Sequence, residues 1–331
     1  MTRTFAVNTA VALAALAAAV AGVMVGDFGV SLGDIASALT GRASGITRTV
    51  VLEWRLPRVV TALAVGAALG FAGAIFQTIT GNPLASPDIL GVTSGASAFA
   101  LTALLAGGGS GALLQSLGVP LSAFLGGLVA SAAIWWLGRG GLGSFQLVFA
   151  GIIINALAVA YNSFLLVRAD YRDAGKAQAW VTGSVGSANW RDAAAVLVAL
   201  AVVLPLLRWA AFQLEALSLG EDTAAGLGVE PRCTQLVLMG AAVALTSTAV
   251  AAAGPIAFVA FVAPQVGRRL AKAPTPPLGT AMLTGAAIVS AADLAVRTLV
   301  PGDLPVGVAT SAIGGAVLLY ALARATRKVT L

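Results

Sequence analysis

Arg55-Leu-Pro-Arg58, then about twenty apolar residues, then Gly81-Asn-Pro-Leu-Ala-Ser-Pro-Asp88, then a second apolar run from Ile89: this stretch decides the fold. A helix crosses a bilayer with about 20 apolar residues. The stretch therefore holds one span, a break rich in Pro, Gly and Asp, and the start of another span. Irregular backbone at membrane depth is tolerated where it is buried in protein or lines a cavity. An arginine collar before the first span and a polar break after it predict a helix pair shaped around a path. They also predict a docking surface at its outer end.

The rest of the chain has the same character. Of its 331 residues 59% are hydrophobic and 10% charged, against roughly 25% charged in a soluble domain. The mean hydropathy is +0.95. The composition predicts an all-α polytopic membrane protein forming one transmembrane domain over 1–331, with no large soluble domain. A net charge of +6 without a basic stripe and interleaved aromatics argues against nucleic acid. There is no His and one Cys, Cys233, which excludes an internal disulfide and most metal sites built from imidazole and thiolate. No metal site and no bound cofactor are expected, so any metal that passes must travel inside something else. Ala6 to Val25 is longer than the roughly 7–15 apolar residues of a secretory signal and reads as a retained first span.

Ten spans are predicted, at about 6–26, 57–79, 89–107, 119–137, 145–167, 191–211, 232–253, 256–271, 278–300 and 306–323. The eighth is short, with Pro255 and Pro264 near its ends. Ten spans put both termini on one side. With cytoplasmic termini the inner loops hold ten Lys or Arg and the outer loops nine, so a positive-inside bias rests on the tight clusters Arg268-Arg269 with Lys272 and Arg324/Arg327/Lys328. Two outer connections are long. Residues 27–56 include a short helix expected near Ser31 to Leu39, and residues 168–190 are polar and carry Trp180 and Trp190. Spans two to five and seven to ten read as two copies of a four-helix unit, offset by five spans and therefore inverted.

Several constellations admit two readings each. Gly66, Gly70 and Gly73 on span two allow close helix packing or leave room along a path. Asn82 to Asp88 is a tight inner turn or part of an inner gate. Asn155, Tyr161 and Asn162 on span five bond neighbouring helices or line the path, and Ser144 and Phe145 at its start are candidates for the same constriction. Asp293 and Arg297 have the spacing of an intrahelical ion pair. Arg297 also falls near the outer face, as Arg55 and Arg58 do, where three guanidiniums can grip a partner's carboxylates. In the largest inner loop, about 214–230, Ser218 is expected to cap a short helix. Glu221 and Asp222 lie in its first turn, and Gly226 or Gly228 ends it. Such a helix is a surface feature or a plug for a partner's groove.

No Gly-x-x-x-x-Gly-Lys-[Ser/Thr] loop is present, so ATP is not bound here by that device. There is no nucleophile–base pair, and apart from the marginal Asp293, carboxylates in mid-span are absent. An ion-coupled secondary carrier needs such groups. An enzyme is not expected.

Six ordered motifs then become specific: Arg55-Leu-Pro-Arg58, Gly66 to Gln77, Asn82 to Gly91, Leu219 to Gly228, Gly254-Pro to Pro264, and Leu304-Pro-Val-Gly307. Together they resemble the FecCD family over nearly the whole chain. These are permease subunits of type II ABC importers for ferric siderophores, vitamin B12 and haem. Gly-Ala-Ile-Phe-Gln and Asn-Pro-Leu-x-Ser-Pro-Asp most resemble the ferric-enterobactin-type permeases. The resemblance implies a ten-helix permease for an iron–siderophore chelate in the cytoplasmic membrane, with vitamin B12 or haem as the alternative cargo. It implies a second permease chain, more in keeping with a paralogue than an identical copy. Two cytoplasmic ATPases holding ATP and Mg, and an extracytoplasmic binding protein, complete the transporter. By resemblance Arg55, Arg58 and Arg297 receive the binding protein, and Leu219, Gly220, Glu221, Asp222, Ala225 and Gly228 belong to the coupling helix. Asn82, Leu84, Ser144 and Phe145 narrow the inner path, with Asn155 on its wall. Gln265 stands where many members have His, and no role is assigned to it.

Overall fold

The computed structural model describes residues 2–105, 110–138, 145–299 and 304–329. Every regular element among them is helical. The chain runs through α1 (Thr2–Met24), α2 (Leu32–Leu39), α3 (Gly45–Arg48), a π-helical segment (Thr49–Arg55), α4 (Leu56–Ile79), α5 (Val92–Leu105), α6 (Ser110–Leu117), α7 (Val119–Leu137) and α8 (Phe145–Arg168). It continues through α9 (Tyr171–Thr182), α10 (Trp190–Val203), a 3-10 turn (Leu204–Leu206), α11 (Leu207–Leu217), α12 (Glu221–Gly226), α13 (Pro231–Ala253), α14 (Val259–Ala271), α15 (Leu278–Leu299) and α16 (Val306–Val329).

Each of the ten predicted spans has its helix. Among the described residues seven helical stretches are long and apolar enough to cross a membrane. Two of the other three open late, after irregular backbone: α14 has 13 residues, about 20 Å at the α-helical rise and short of a hydrocarbon core of about 30 Å, and α5 starts only at Val92, after residues 80–91. The sixth runs on through a Pro205 turn to Leu217, which moves Arg208 out of the inner loop and well up the helix. Residues 171–182, expected as loop, form α9.

The two broken helices share a setting. α4, with 24 residues, leads through 80–91 into α5; α13, with 23, leads through 254–258 into α14. Gly81 (φ 61°) and Gly254 (φ 67°) start the breaks in the left-handed region that suits glycine. Arg58 near the start of α4 and Ala253 at the end of α13 line the same cavity, at one end of the molecule, so the units run in opposite directions. The units also exchange partners: α4 lies against α15 and α14, α13 lies against α7, and α10 touches both α4 and α13.

α4 is the central helix, with 83% of its most apolar window buried. Its glycines meet backbone. A Cβ at Gly66 would overlap the Gly285 carbonyl, one at Gly70 the Ala281 carbonyl, and one at Gly73 the Ala260 carbonyl. Of the two readings of this glycine face, close packing is the one observed.

The long connection after α1 is a folded layer. Ser31 caps α2 in a capping box: its Oγ accepts from Asp34 N (3.1 Å), and Asp34 Oδ2 accepts from Ser31 N (2.9 Å). The Ser31 backbone N–H, and then its hydroxyl, hold the Asp34 carboxyl below its ordinary range. The π segment runs directly into α4, so Pro57 lies within one continuous helical stretch, where its missing N–H leaves the ladder one bond short. Trp190 Nε1 donates to Leu52 O (2.8 Å) and ties α10 to this layer.

Candidate functional site

The polar side chains that carry chemistry gather at two opposite ends. At the arginine end, one carboxylate organises two guanidiniums. Arg58 Nε and Nη2 both donate to Asp293 Oδ1, at 2.9 and 2.7 Å. Arg297 Nε lies 3.4 Å from Asp293 Oδ2, one helical turn away on α15. The expected intrahelical pair is there, but Asp293 is bound more closely by a residue of α4. Arg297 Nη2 also donates to Gly22 O of α1 (2.7 Å). Asp293 itself is 2% exposed, so its charge depends on these partners.

Arg55 differs from the other two. Its Nη1 donates to Val23 O (2.8 Å) and Met24 O (3.1 Å), and its Nη2 to Phe28 O (2.7 Å). Those are the last carbonyls of α1 and the chain just beyond, where a cation complements the negative end of the helix dipole. Gly26 leaves room for it: a Cβ there would sit 2.5 Å from Arg55 Nη2. In place of a surface of three equal arginines, Arg55 is buried in the protein and the side chains of Arg58 and Arg297 are 18% and 16% exposed.

They face a cavity of about 1030 Å³, also lined by Asp27, Lys176, Trp180 and Ser184. Gly254, which lines it, meets two further glycines, Gly183 and Gly307. Ser184 N donates to Ala253 O (2.8 Å) and Gly307 N to Gly183 O (3.0 Å). A Cβ at Gly183 would overlap the Pro255 carbonyl, one at Gly307 the Thr182 carbonyl, and one at Gly254 would lie 2.5 Å from Trp180 O. Gly254 and Gly307 belong to two separate sequence motifs, and nothing local to either shows that they meet; the signal for Gly183 is a Gly after a helix, a stop signal.

A second cavity, about 240 Å³, lies among Phe76, Leu90, Leu128, Trp135, Leu147 and Val243. It is almost wholly apolar and offers no polar chemistry.

At the far end α12 projects into the open. Glu221, Asp222 and Ala225 are exposed, as are Leu219 (62%) and Leu227 (56%). The cap is Gly220 (φ 102°), not Ser218, whose hydroxyl donates instead to Glu215 O (2.6 Å). The helix ends in a Schellman turn: Val229 N bonds to Ala224 O and Gly228 N (φ 83°) to Ala225 O, both at 3.0 Å. Ala224 and Val229 are buried together with Ala216 beneath it. Glu221 Oε1 accepts from Gln235 Nε2 (3.0 Å), which fastens α12 to α13.

Residues 80–91 also begin at this end. Asn82 Oδ1 accepts from Leu84 N (2.9 Å) in a tight side-chain turn, and Leu84 is 41% exposed. The segment ends at Gly91 (φ 89°), against the Asn155 backbone of α8, where a Cβ would lie 3.0 Å from Asn155 N. Asn155 is half-buried. Asn162 Nδ2 donates to Ser94 O (3.3 Å), and Tyr161 shares a hydrogen bond with Thr102 (3.0 Å), so both tie α8 to α5. Ser144 lies outside the described residues; Phe145 opens α8, and its side chain also lies outside them.

Comparison with known proteins fits this arrangement. The FecCD transport family profile matches residues 12–324. The ferric enterobactin transport system permease protein FepG of Escherichia coli (strain K12) is 41% identical, over 84% of each chain. The achromobactin transport system permease protein CbrC of Dickeya dadantii (strain 3937) is 39% identical, over 82% of this chain and 78% of its own. A solved inward-facing structure of a metal-chelate type ABC transporter superposes with a TM-score of 0.81 at 26% identity, covering 96% of this chain and 98% of that one.

Proposed function

The chain belongs to the FecCD transport family, and from that premise we propose that it is the permease subunit of an ATP-driven importer for an iron–siderophore chelate. The observation that carries the reading is the pairing of two surfaces at opposite ends: a cationic basin around Arg58 and Arg297, and the exposed, capped helix α12. Two broken helices, α5 and α14, lie between them. The cargo class follows from the siderophore systems named for the relatives, and a chain without His or metal-ligand clusters among its described residues suits a metal that arrives chelated.

The chain lies in the cytoplasmic membrane with its arginine end outward and both termini in the cytoplasm. Arg269 and Lys272, exposed at the far end, fit that orientation. A binding protein docks on the basin. One buried carboxylate serves two guanidiniums there, so positive charge is left over for acidic side chains of a partner. Arg58 and Arg297 meet them directly; Arg55 supports the rim by fixing the end of α1. At the other face Leu219, Gly220, Glu221, Asp222, Ala225 and Gly228 seat in an ATPase, which alone carries ATP and Mg. Asn82, Leu84 and Asn155, with Ser144 and Phe145, narrow the path. A second permease, a paralogue, completes the pore.

The test is uptake of radio-iron ferric enterobactin by vesicles holding this chain with its partner permease, ATPase and binding protein. Uptake that requires ATP and the binding protein is expected. Accumulation without nucleotide would instead indicate an ion-coupled carrier, and preference for cobalamin or haem would move the cargo to the other branch of the family. The double change Arg58→Glu with Arg297→Glu is expected to weaken binding-protein affinity; an unchanged Kd removes the docking role.

A further inference from the structure

Two polar groups remain unused by this account, the buried Gln265 and the half-buried Asp88. Both touch residues 80–91. Gln265 Nε2 donates to Gln77 Oε1 (2.6 Å) and to Pro83 O (3.3 Å), while its Oε1 accepts from Arg268 Nη2 (3.1 Å). Gln77 Nε2 in turn donates to Phe261 O (3.0 Å). Gln77 and Gln265 are 4% and 7% exposed, so these amides have little access to water. Further along the segment, Asp88 Oδ2 accepts from Phe258 N (3.1 Å). Phe258 is the residue before α14 and holds a left-handed backbone (φ 65°), which is costly for an aromatic residue. Gly314 of α16 gives its ring the space it needs, since a Cβ there would overlap it.

The two attachments share an element. Pro83 is held by Gln265 of α14, and Asp88 holds the residue that starts α14. They lie seven residues apart on that side, about 10 Å along a helix. One bond would fix a position; two so separated also fix a direction. α8 meets the segment at Leu90 and Gly91 through close backbone packing. That surface can slide, whereas the polar bonds cannot without being broken. α14 ends at the far end in Arg268, Arg269 and Lys272, on the face where α12 projects.

We propose that Gln265 and Asp88 are positioning residues that clamp segment 80–91 to α14, so that the gate and α14 move as one body during transport. The proposal rests on the permease reading. It gives Gln265 a task that needs an amide: its nitrogen supplies both donors while its oxygen receives Arg268.

That requirement sets the test. Gln265→Glu keeps size and the acceptor for Arg268 but loses the donors. Asp88→Leu removes the acceptor, and Asp88→Asn retains one. In vesicles with the complete transporter, uptake of radio-iron ferric enterobactin per ATP hydrolysed is expected to fall about ten-fold in Gln265→Glu and in Asp88→Leu, the scale of a lost buried hydrogen bond. Asp88→Asn is expected to stay within about two-fold of the parent by the same reasoning. Binding-protein affinity is expected to be unchanged in all three. Spin labels at Leu84→Cys and Leu270→Cys, in a Cys233→Ser background, provide a second readout that does not need the variants to fold. Their separation should stay constant between nucleotide-free and ATP-bound transporter, and a separation that changes with nucleotide overturns the clamp. So does normal uptake per ATP in Gln265→Glu. If the parent complex shows no ATP-dependent uptake, the permease reading fails first; if the parent transports and the variants couple normally, only the clamp fails.

Discussion

The arginine end and the far end solve opposite problems. At the arginine end three arginines sit among helices, and each is tied to fixed atoms: Arg58 and Arg297 to Asp293, Arg55 to the carbonyls that close α1. At the far end Arg269, Lys272, Glu221 and Asp222 are exposed. Order there comes from backbone, in the Schellman turn after α12 and the paired glycines around it. Charge in a poorly solvated place must be paired to be tolerated. A loop in water gains little from ion pairs, and its shape is set by turn geometry. On the proposed function, one end is a preformed receptacle and the other a handle held by a few local bonds.

This contrast can be broken, beginning at its strongest point. Asp293→Ala strands two guanidiniums and is expected to cost about 3–5 kcal/mol. Thermal unfolding of the assembled transporter in detergent would show it as a large fall in Tm, and an unchanged Tm would mean that the cluster is not pairing-dependent. Arg55→Met keeps the apolar stem but leaves three carbonyls of the α1 end short of a donor, for an expected loss of about 1–3 kcal/mol in the same assay. Arg55→Lys should rescue it only in part, because an ammonium cannot span the carbonyls as a planar fork does. At the far end, Gly228→Val puts a branched side chain at a left-handed position. The expected cost is about 1–2 kcal/mol, accompanied by a loss of uptake per ATP far greater than the change in Tm. A fall in Tm with coupling intact would show that α12 is not a handle. The smallest effect is expected from Gln235→Leu, which frees Glu221 from α13 for about 0.5–1.5 kcal/mol. If it rivals Asp293→Ala, the two ends do not differ as described.

Local pattern made the helices legible, and long-range partnership stayed hidden. The short helix near Ser31 to Leu39, the first-turn acids of α12 and the choice of Gly228 or Gly226 as its end were all readable, because such signals are set within a few residues. The same rule misplaced the α12 cap at Ser218, since Gly220 competes for that position with a backbone only glycine adopts easily. Residues 171–182 look like loop because they are polar, yet Ala174, Ala177 and Ala179 are good helix formers and Ala177 is fully buried. Asp293 was read with its neighbour Arg297, while its closer partner, Arg58, lies 235 residues away. Gln265 could be given no role for the same reason: its bonds reach Gln77 and Pro83, 188 and 182 residues back. The meeting of Gly183, Gly254 and Gly307 belongs to this class.

The exchange of partners between the two inverted units has a consequence for how the chain is made. α4 leaves the ribosome long before the α14 and α15 backbones that fill its glycine seam. Arg58 precedes Asp293 by 235 residues, roughly 10–50 s at ordinary rates of synthesis. Throughout that interval a cation near the end of a new span must reach for the lipid headgroups, as long basic side chains do. An unfinished or truncated subunit thus advertises itself by an unmatched arginine and an open glycine seam. Both disappear when the ninth predicted span arrives, so completion of the chain and concealment of these marks are one event.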